Sequence, residues 1–296
     1  MKKYYINFAD PLFAKQQNFS LKKARIKGGF DFVTGYTPDD IDEVFFIKNK
    51  LILEQKRGKG FWLWKPYFIL KKLKEIDNGD YLFYSDTGAF FLQSIDILIA
   101  EIEKYDQDIM GYELPLIESQ WTKYELFKAM KFNDESYRDS NQLIGGLQLI
   151  KKTKFSMKFY NEFLHLACNE VNLTDKYNNN ILQKNDFIDH RHDQSIFSLL
   201  YKKYKLRPFK DPTQFGKYPI CYADILIDDL IPNKLFLVQN NKPMRGDKLS
   251  PKHPKHLKFR YFNYDENYQH VLHLHRLKNP LWSLIKYKIK DRKKDI

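Results

Sequence analysis

The sequence has little cysteine and no long apolar run, and both absences narrow the class of protein. Only two cysteines, Cys168 and Cys221, occur among 296 residues. Two thiols supply neither a disulfide framework nor a four-cysteine zinc site, so we expect a reducing compartment. Eighteen consecutive apolar residues occur nowhere, and the N-terminus has no apolar segment of signal-peptide length. We therefore expect a cytoplasmic protein without a membrane-spanning helix.

Acidic residues are also in deficit, with 37 Asp and Glu against 50 Lys and Arg and a formal charge of +13. This imbalance predicts anionic partners, and nucleic acid, an acidic membrane surface and a phosphorylated small substrate all satisfy it. An AT-rich coding sequence would also give a lysine excess, since Asn, Ile, Tyr and Phe are abundant too. The hydrophobic content of 43% is typical of a globular chain with a buried core.

Apolar runs of strand length alternate with helical patterns through most of the chain. We predict strands at YYINFA, FDFVTGY, YLFYS, DIMGYEL and LIGGLQLIKK. The helical segments that start at Thr37–Pro38 and at Pro66 carry residues that commonly begin helices. Strands separated by helices favour an α/β fold with a mainly parallel sheet flanked by helices. After the last helical pattern only short strands and loops are indicated, so we expect a less regular C-terminal third.

Asp86 directly follows the predicted strand YLFYS, and Thr87 and Gly88 after it form a turn signal. In open α/β sheets, ligands bind at the carboxyl ends of the strands, where this carboxylate would lie. A carboxylate there can hold Mg²⁺ or Mn²⁺ together with substrate phosphates, or accept hydrogen bonds from sugar hydroxyls. Alternatively, Asp86 only caps the turn that follows it.

The stretch RGKGFWLWKPYFI, which begins at Arg57, combines two tryptophans with three other aromatic residues. Because the residue before Pro66 favours extended geometry, we expect Phe61–Lys65 to be extended, with Trp62 and Trp64 on one face. Tryptophan faces suit uracil or the apolar face of a pyranose. Alternatively, the tryptophans anchor the following helix in the core.

The same stretch has the means to hold a diphosphate. Gly58 and Gly60 would let the backbone approach a ligand closely. Arg57, Lys59 and Lys65 would neutralise phosphate oxygens, the arginine as a planar fork and the lysines as point charges.

Six polar residues, HRHDQS from His190 to Ser195, lead into the apolar helical pattern IFSLLYKKY. A helix N-terminus favours an anionic group, so Asp193 can be a simple cap beside a surface histidine pair. Imidazoles beside a carboxylate also permit metal binding or acid–base chemistry. No second metal-binding residue follows His192 at helical spacing, which excludes a zincin-type site.

The segment 278–296 reads KNPLWSLIKYKIKDRKKDI, with seven Lys or Arg against two Asp. A helix from Pro280 would carry a narrow apolar stripe of leucines and isoleucines. A basic amphipathic helix is typical of a membrane-surface element. Alternatively, the segment is a solvated terminus.

Three of these stretches together, RGKGFWLWKP, YSDTGA and HRHDQSIFSLL, resemble a group of bacterial glycosyltransferases from capsule and lipopolysaccharide gene sets. That group carries G-x-G-[YF]-W-x-W-K-P, then a strand that ends in D-x-G, then H-R-H-D-Q-S. The match extends from residue 1 to about residue 205. The resemblance implies a GT-A type fold, in which a Rossmann-like nucleotide-binding half precedes an acceptor-binding half.

On this resemblance, residues 1–277 form a single GT-A-like catalytic domain, followed by the tail 278–296. Residues 1–110 would be the nucleotide-sugar half and residues 111–277 the acceptor half. The implied activity is transfer of a sugar from a nucleotide-sugar donor, UDP-linked by the habit of the fold. The acceptor would be a growing surface polysaccharide or a lipid-linked glycan.

The resemblance also assigns roles to individual residues. The donor would be bound by Phe8, Ala9, Asp10, Arg57, Trp62, Lys65 and Asp86. The acceptor would be bound by Trp64, His190, Arg191 and His192. The catalytic residues would be Asp193 and Gln194, with Asp193 as general base for the acceptor hydroxyl if the enzyme inverts configuration.

One departure from the family pattern concerns the cation. Gly88 stands where GT-A enzymes have the second acid of Asp-x-Asp, so Asp86 would bind Mn²⁺ or Mg²⁺ only with help from another ligand. The candidate helpers are His190, His192, His273 and His275. The last two share one face of the predicted strand VLHLHRL, where solvent exposure is the simpler expectation.

Two other functions remain open at this point, namely single-stranded nucleic-acid binding and an inactive glycosyltransferase-like protein. The net charge with interleaved aromatic residues fits the first, but no nucleic-acid motif is present and the acidic cluster PDDIDE precedes the aromatic stretch. The missing second carboxylate fits an inactive glycosyltransferase-like protein. We favour an active glycosyltransferase with a nucleotide-sugar donor, a glycan or lipid-linked acceptor, a contact with an anionic membrane surface, and no nucleic acid.

Overall fold

The structure of the chain is a computed structural model that describes residues 1–132, 134–178, 180–217, 237–239, 242–243, 257–258, 260, 264–268 and 270–274. The predicted tail 278–296, His275 and Cys221 lie outside the described residues. Within these ranges, no helix combines the length and the apolar character needed to cross a bilayer.

The described residues form short strands interspersed with single helices and runs of helices. The strands are β1 (Lys3–Phe8), β2 (Phe32–Tyr36), β3 (Tyr81–Ser85), β4 (Ala89–Phe91), β5 (Ile109–Met110), β6 (Glu113–Ile117), β7 (Asn141–Leu143), β8 (Leu147–Lys151), β9 (Leu237–Gln239), β10 (Lys242–Pro243), β11 (Leu257–Lys258) and β12 (Leu272–Leu274). The α-helices are α1 (Ala14–Lys23), α2 (Glu43–Lys48), α3 (Lys50–Leu53), α4 (Gly58–Phe61), α5 (Trp64–Glu75), α6 (Asp96–Glu103), α7 (Glu118–Trp121), α8 (Tyr124–Ala129), α9 (Glu135–Arg138), α10 (Lys154–Ala167), α11 (Glu170–Leu173), α12 (Asp193–Lys203) and α13 (Gln214–Lys217).

The central sheet has the strand order β2-β1-β3-β8-β5. Strand β1 is parallel to β2 and β3, whereas β8 is antiparallel to β3 and β5. Four of these five strands therefore run in one direction and β8 runs in the other. The predicted α/β fold, with a mainly parallel sheet flanked by helices, is confirmed.

Both faces of the sheet are buried, because alternate side chains of β3 enter two different apolar clusters. Leu82 and Tyr84 pack in the cluster that contains residues of α5, α10 and α12. Tyr81 and Phe83 pack in the cluster that contains residues of α6. A strand covered on both faces reads as a continuous apolar run, as YLFYS does.

The strand predictions are confirmed in position, and two of the predicted runs each contain two strands. DIMGYEL contains β5 and the start of β6, and LIGGLQLIKK contains the end of β7 and then β8. The pair Gly145–Gly146 separates β7 from β8. At Thr37 the chain forms a 3₁₀ turn with a capping box before α2 begins at Glu43.

The prediction of an extended segment at Phe61–Lys65 is wrong. Helix α5 begins at Trp64, two residues before the predicted start at Pro66, and Trp62 has a left-handed φ of 60°. Proline is tolerated in the first turn because the first N–H groups of a helix have no intrahelical partner. The two tryptophans therefore reach the site from a tight loop and from a helix start, not from one face of a strand.

Candidate active site

The carboxyl ends of β1 and β3 lie at the same edge of the sheet. Ile6 of β1 is in register with Tyr84 of β3, so the residues that follow both strands meet there, as in other open α/β sheets. A pocket of about 440 Å³ opens at this edge, a size typical of small-molecule sites. Its lining residues are Phe8, Ala9, Asp10, Leu12, Phe13, Lys56, Gly58, Lys59, Trp62, Trp64, Asp86 and Thr87.

The pocket brings together six of the eleven predicted donor and acceptor residues. Those that line it are Phe8, Ala9, Asp10, Trp62, Trp64 and Asp86. Trp64 was expected to contact the acceptor and Trp62 the donor, but both line this one pocket. The aromatic stretch and the residue after YLFYS, which are separate in sequence, therefore build a common cavity.

Trp64 is both a core anchor and a wall of the pocket. Its ring stacks on Phe8 with centroids 3.9 Å apart and planes at 21°. The indole Nε1 donates a hydrogen bond to the Gly58 carbonyl at 2.9 Å. Because the residue is only 6% exposed, the ring is fixed and presents a rigid apolar surface.

Trp62 forms a second wall and lies between Gly58 and His192. A Cβ at Gly58 would lie 2.6 Å from the Trp62 ring, so only glycine lets the indole rest against this backbone. On its other side, the ring stacks on His192 with centroids 5.3 Å apart. Lys59, Phe61 and Trp62 all have positive φ, and such backbone strain concentrates at functional sites.

Asp86 is the half-exposed carboxylate of the pocket. Its Oδ1 accepts a hydrogen bond from the Tyr84 hydroxyl at 2.5 Å and lies 3.4 Å from Lys65 Nζ. Its backbone N–H donates to the Gly146 carbonyl at 2.9 Å. Because its carboxylate bonds Tyr84 and faces Lys65, the role of Asp86 is not limited to capping the turn that follows it.

A buried ion pair lies behind Asp86. Lys65 Nζ is 2.6 Å from Asp193 Oδ2, and the two side chains are 3% and 5% exposed. Burial lowers the pKa of Lys65, but Asp193 and Asp86 outweigh it, so the pKa of this lysine is raised. Burial raises the pKa of Asp193 to about 6, against the opposing effect of Lys65. Lys65 is thus held between two carboxylates. It was expected to contact the donor, but it does not line the pocket.

Gln194 fixes the start of α12 against the loop between β7 and β8. Its Oε1 accepts a hydrogen bond from the Gly145 N–H at 3.1 Å, and its Nε2 donates to Gln142 Oε1 at 2.7 Å. A Cβ at Gly145 would lie 2.8 Å from the Gln194 Cβ, and one at Gly146 would lie 2.5 Å from Asp86 Oδ2. The glycine pair therefore allows the strand end and the helix start to approach each other closely.

The groups around Asp86 do not fit a divalent metal ion. Mg²⁺ and Mn²⁺ require several oxygen ligands, yet one oxygen of Asp86 already bonds Tyr84 and faces the Lys65 ammonium. Gly88 supplies no ligand, although no described atom lies within 4 Å of an ideal Cβ there. In the part of the chain that the structure describes, no three His, Cys, Asp or Glu residues are grouped to hold a metal.

The histidines of HRHDQS are buried and bonded to backbone carbonyls, so the alternative of a surface histidine pair is wrong. His190 Nε2 lies 2.8 Å from the Asn172 carbonyl and His192 Nδ1 lies 2.8 Å from the Leu173 carbonyl. Burial lowers the pKa of His190 well below its usual value and that of His192 to about 4. Both rings are therefore neutral at physiological pH. Neither lines the pocket, and His192 reaches it only through Trp62.

The two predicted site arginines also lie outside the pocket lining. Arg57 forms ion pairs with Asp175 at 2.8 Å and Asp189 at 3.2 Å, so its charge is already compensated. The Arg191 guanidinium lies 4.4 Å from the centre of the Trp121 ring. Arg57 thus ties the aromatic stretch to the segment before α12, and the structure does not place it against a diphosphate in this pocket.

His273 lies in β12, as the strand prediction required, but the expected solvent exposure is wrong. It is 2% exposed and stands in register with Phe90 of β4. Its Nδ1 lies 3.3 Å from His270 Nε2. His275, the other candidate helper for a cation, lies outside the described residues.

Sequence reasoning missed several pocket residues. Lys56 was not singled out, and Leu12 and Phe13, which are 82% and 51% exposed, were not recognised as part of the pocket mouth. Their signal was an apolar pair immediately after a predicted strand end and a proline. Gly145–Gly146 carried a signal as well, because consecutive glycines inside an apolar strand pattern mark a close approach.

The solved structures to which the chain is similar include the three glycosyltransferases that follow. GlyE of Streptococcus pneumoniae, in its apo form, shows 13% identity and a TM-score of 0.38 over 78% of this chain and 51% of GlyE. The bifunctional glycosyltransferase WbbM shows 8% identity and a TM-score of 0.46 over 72% of this chain and 39% of WbbM. The galactosyltransferase LgtC, in complex with donor and acceptor sugar analogues, shows 15% identity and a TM-score of 0.39 over 77% of this chain and 80% of LgtC.

This chain thus spans about half the length of GlyE and less than half that of WbbM. A structural likeness with such scores assigns no function by itself. No protein-family model matches the sequence, and no curated protein matches it either.

Proposed function

We propose that this protein is a glycosyltransferase that moves a sugar from a nucleotide-sugar donor to an acceptor hydroxyl. The observation that carries the proposal is the pocket at the ends of β1 and β3. Aromatic rings, two lysines and the carboxylate of Asp86 converge there, with the Lys65–Asp193 ion pair directly behind. Ligands of open α/β folds bind at this edge of the sheet.

The pocket suits a nucleoside diphosphate sugar, and UDP is the nucleotide proposed. Lys56 and Lys59 line it and bring positive charge towards a diphosphate. Trp62 and Phe13 offer flat apolar faces for a nucleobase or a pyranose. Asp86, whose half-exposed side chain lines the pocket, would accept hydrogen bonds from sugar hydroxyls.

In the proposed reaction, the acceptor oxygen attacks the anomeric carbon of the donor sugar. The bond from that carbon to the diphosphate breaks, and the nucleoside diphosphate leaves with the electron pair. Asp193 is our candidate for the general base that takes the proton of the acceptor hydroxyl, although its carboxylate lies behind Asp86 and does not line the pocket in this structure. Burial raises the pKa of Asp193 to about 6, so at neutral pH it is ionised and close to the pKa that suits a base.

The acceptor proposed is a growing surface polysaccharide or a lipid-linked glycan, as the resemblance in the motifs implies. Residues 1–110 would bind the donor and residues 111–277 the acceptor. The basic segment 278–296 would contact an anionic membrane surface from the cytoplasmic side. Gln194 would orient the start of α12, since it bonds Gly145 and Gln142.

The proposal is tested first by binding. The melting temperature of the protein is measured with UDP, GDP, CDP and a series of sugar nucleotides, and with a single-stranded oligonucleotide of equal phosphate content. Stabilisation by one nucleoside diphosphate or its sugar is expected. Stabilisation by the oligonucleotide alone would overturn the proposal in favour of nucleic-acid binding.

Turnover is tested next with the sugar nucleotide that binds. Release of nucleoside diphosphate is measured for the wild type, Asp86→Ala and Asp193→Ala. We expect turnover by the wild type and a loss of at least about a hundredfold in the Asp193 variant, the size of a general-base effect. Binding without turnover by the wild type on any donor and glycan acceptor would indicate an inactive protein.

A further inference from the structure

The side-chain ammonium of Lys65 lies between the two carboxylates of the site, those of Asp86 and Asp193. Lys65 Nζ is 2.6 Å from Asp193 and 3.4 Å from Asp86. The rings of Tyr84 and Trp64 lie 5.5 Å and 6.0 Å from the same nitrogen. With 3% of the side chain exposed, the ammonium is enclosed by these four groups, and solvent cations do not have free access to its position.

We propose that Lys65 takes the electrostatic place of a divalent metal ion, so that the protein binds its nucleotide diphosphate without one. This inference rests on the proposed function and adds to it the identity of the cation at the end of β3. Lys65 acts here as a positioning residue, because it works through the two carboxylates and does not line the pocket.

The charge of the site supports this role. Asp86 and Asp193 would repel an incoming diphosphate if no cation stood between them, and the repulsion from Asp193 would be little screened because this side chain is only 5% exposed. The positive charge of Lys65, which lies behind Asp86 and outside the pocket lining, offsets the repulsion between these carboxylates and the diphosphate. Lys56 and Lys59, which line the pocket, are then free to contact the phosphate oxygens directly.

The ligand set supports it as well. A divalent ion on Asp86 would lie a few ångströms from a fixed ammonium of the same sign. The second acid that a metal would need is replaced by Gly88, although no described atom lies within 4 Å of an ideal Cβ there. The backbone at this position therefore has space for a Cβ, but the acidic side chain that would bind a metal is missing.

The first experiment uses the wild-type protein and UDP. Affinity for UDP is measured by calorimetry in excess EDTA and again in millimolar Mn²⁺, and Mn²⁺ binding is measured separately from the EPR signal of the free ion. We expect the two UDP affinities to agree within about threefold, which is less than 1 kcal/mol. We also expect no stoichiometric Mn²⁺ on the protein, with or without UDP.

The second experiment removes the ammonium. Lys65→Met leaves Asp86 and Asp193 facing each other without a cation, and a carboxylate pair of this kind attracts divalent ions. We expect this variant to gain one Mn²⁺ by EPR, a change that a merely structural lysine would not produce. The matched control is Lys71→Met, which removes the same charge from α5 at a surface pair with Asp42 and should gain no Mn²⁺.

The outcomes separate this inference from the proposed function. UDP binding that needs Mn²⁺, or one Mn²⁺ on the wild type in the presence of UDP, would overturn the role of Lys65 and leave the glycosyltransferase proposal standing. A folded Lys65→Met protein that gains no Mn²⁺ would overturn it too. If no nucleoside diphosphate binds in EDTA or in Mn²⁺, both fail together. The wild-type measurements decide the question even if Lys65→Met does not fold.

Discussion

Lys65 and Asp193 each lie at the start of a helix, and their side chains meet with 2.6 Å between Nζ and Oδ2. Lys65 is the second residue of α5, and Asp193 is the first residue of α12. The positive end of the α12 dipole stabilises the Asp193 carboxylate, whereas the start of α5 is an unfavourable place for a lysine. The ammonium is therefore held by the carboxylates against the field of its own helix.

The first prediction concerns stability. Lys65→Met should lower the free energy of unfolding by about 3–5 kcal/mol, because it leaves buried Asp193 without its partner. Lys71→Met, on the same helix but at a surface pair with Asp42, should cost less than about 1 kcal/mol. Urea unfolding of the two variants and the wild type checks this. Equal losses in both variants would show that the buried pair has no special weight.

The second prediction concerns the pH dependence of stability. Folding raises the pKa of Asp193 from 3.8 to about 6, so the folded state binds this proton more tightly than the unfolded chain. The stabilisation is complete below pH 3.8 and is lost as pH rises through about 6. The wild type should therefore lose about 2 kcal/mol relative to Asp193→Asn between pH 4 and 7. A constant difference across this range would contradict the assignment.

The same ionisation should govern turnover if Asp193 is the base. The rate of donor use by the wild type should rise as pH increases through about 6 and then level off, because only the ionised carboxylate accepts a proton. Residual activity of Asp193→Asn should lack this rise. A rate profile that is identical in the two proteins would remove Asp193 from the chemistry.

The third prediction concerns the glycine beneath Asp86. Gly146→Ala should displace the Asp86 carboxylate, since the new Cβ would lie 2.5 Å from Oδ2, and UDP affinity should fall by about tenfold. Gly88→Ala is the matched control, because no described atom lies within 4 Å of its Cβ. Calorimetry should find unchanged affinity in the control. The same loss in both variants would show that the position of Asp86 does not matter for binding.

The fourth prediction separates neighbouring cations. Lys56→Ala and Lys59→Ala should each weaken UDP binding by about tenfold at low salt and less at high salt, because both line the pocket and their charges are screened by ions. Arg57→Ala should change the affinity by less than about twofold, since its charge is paired with Asp175 and Asp189. Calorimetry at two salt concentrations tests this. A larger effect for Arg57→Ala than for the lysine variants would indicate that the diphosphate binds near Arg57 and outside the pocket.

The sequence predicted the position of the strands and of Asp86 because these depend on local pattern. YLFYS reads as a buried strand since both its faces are covered, and the residue after a parallel strand lies at the ligand edge. The resemblance also assigned Trp62 to the same donor site as Asp86, whereas Trp64 was assigned to the acceptor. Both line one pocket.

The parts that sequence reasoning missed depend on contacts between distant segments. No spacing rule pairs Lys65 with Asp193, because the pair forms only when α5 and α12 pack on the same face of the sheet. The backbone at Trp62 was missed for a different reason, since a left-handed tryptophan is unfavourable locally and is imposed by its packing on Gly58. The burial of His190 and His192 could not be read from the sequence, because their carbonyl partners lie on another helix, α11.

The open space at Gly88 has a consequence for how this site can change in evolution. A Cβ added at this position would meet no described atom within 4 Å, so the backbone here accepts a side chain without a clash at its first atom. Steric constraint therefore does not keep an acid out of this position. Selection for or against a divalent metal ion can therefore decide which residue occupies this position, independently of selection on folding.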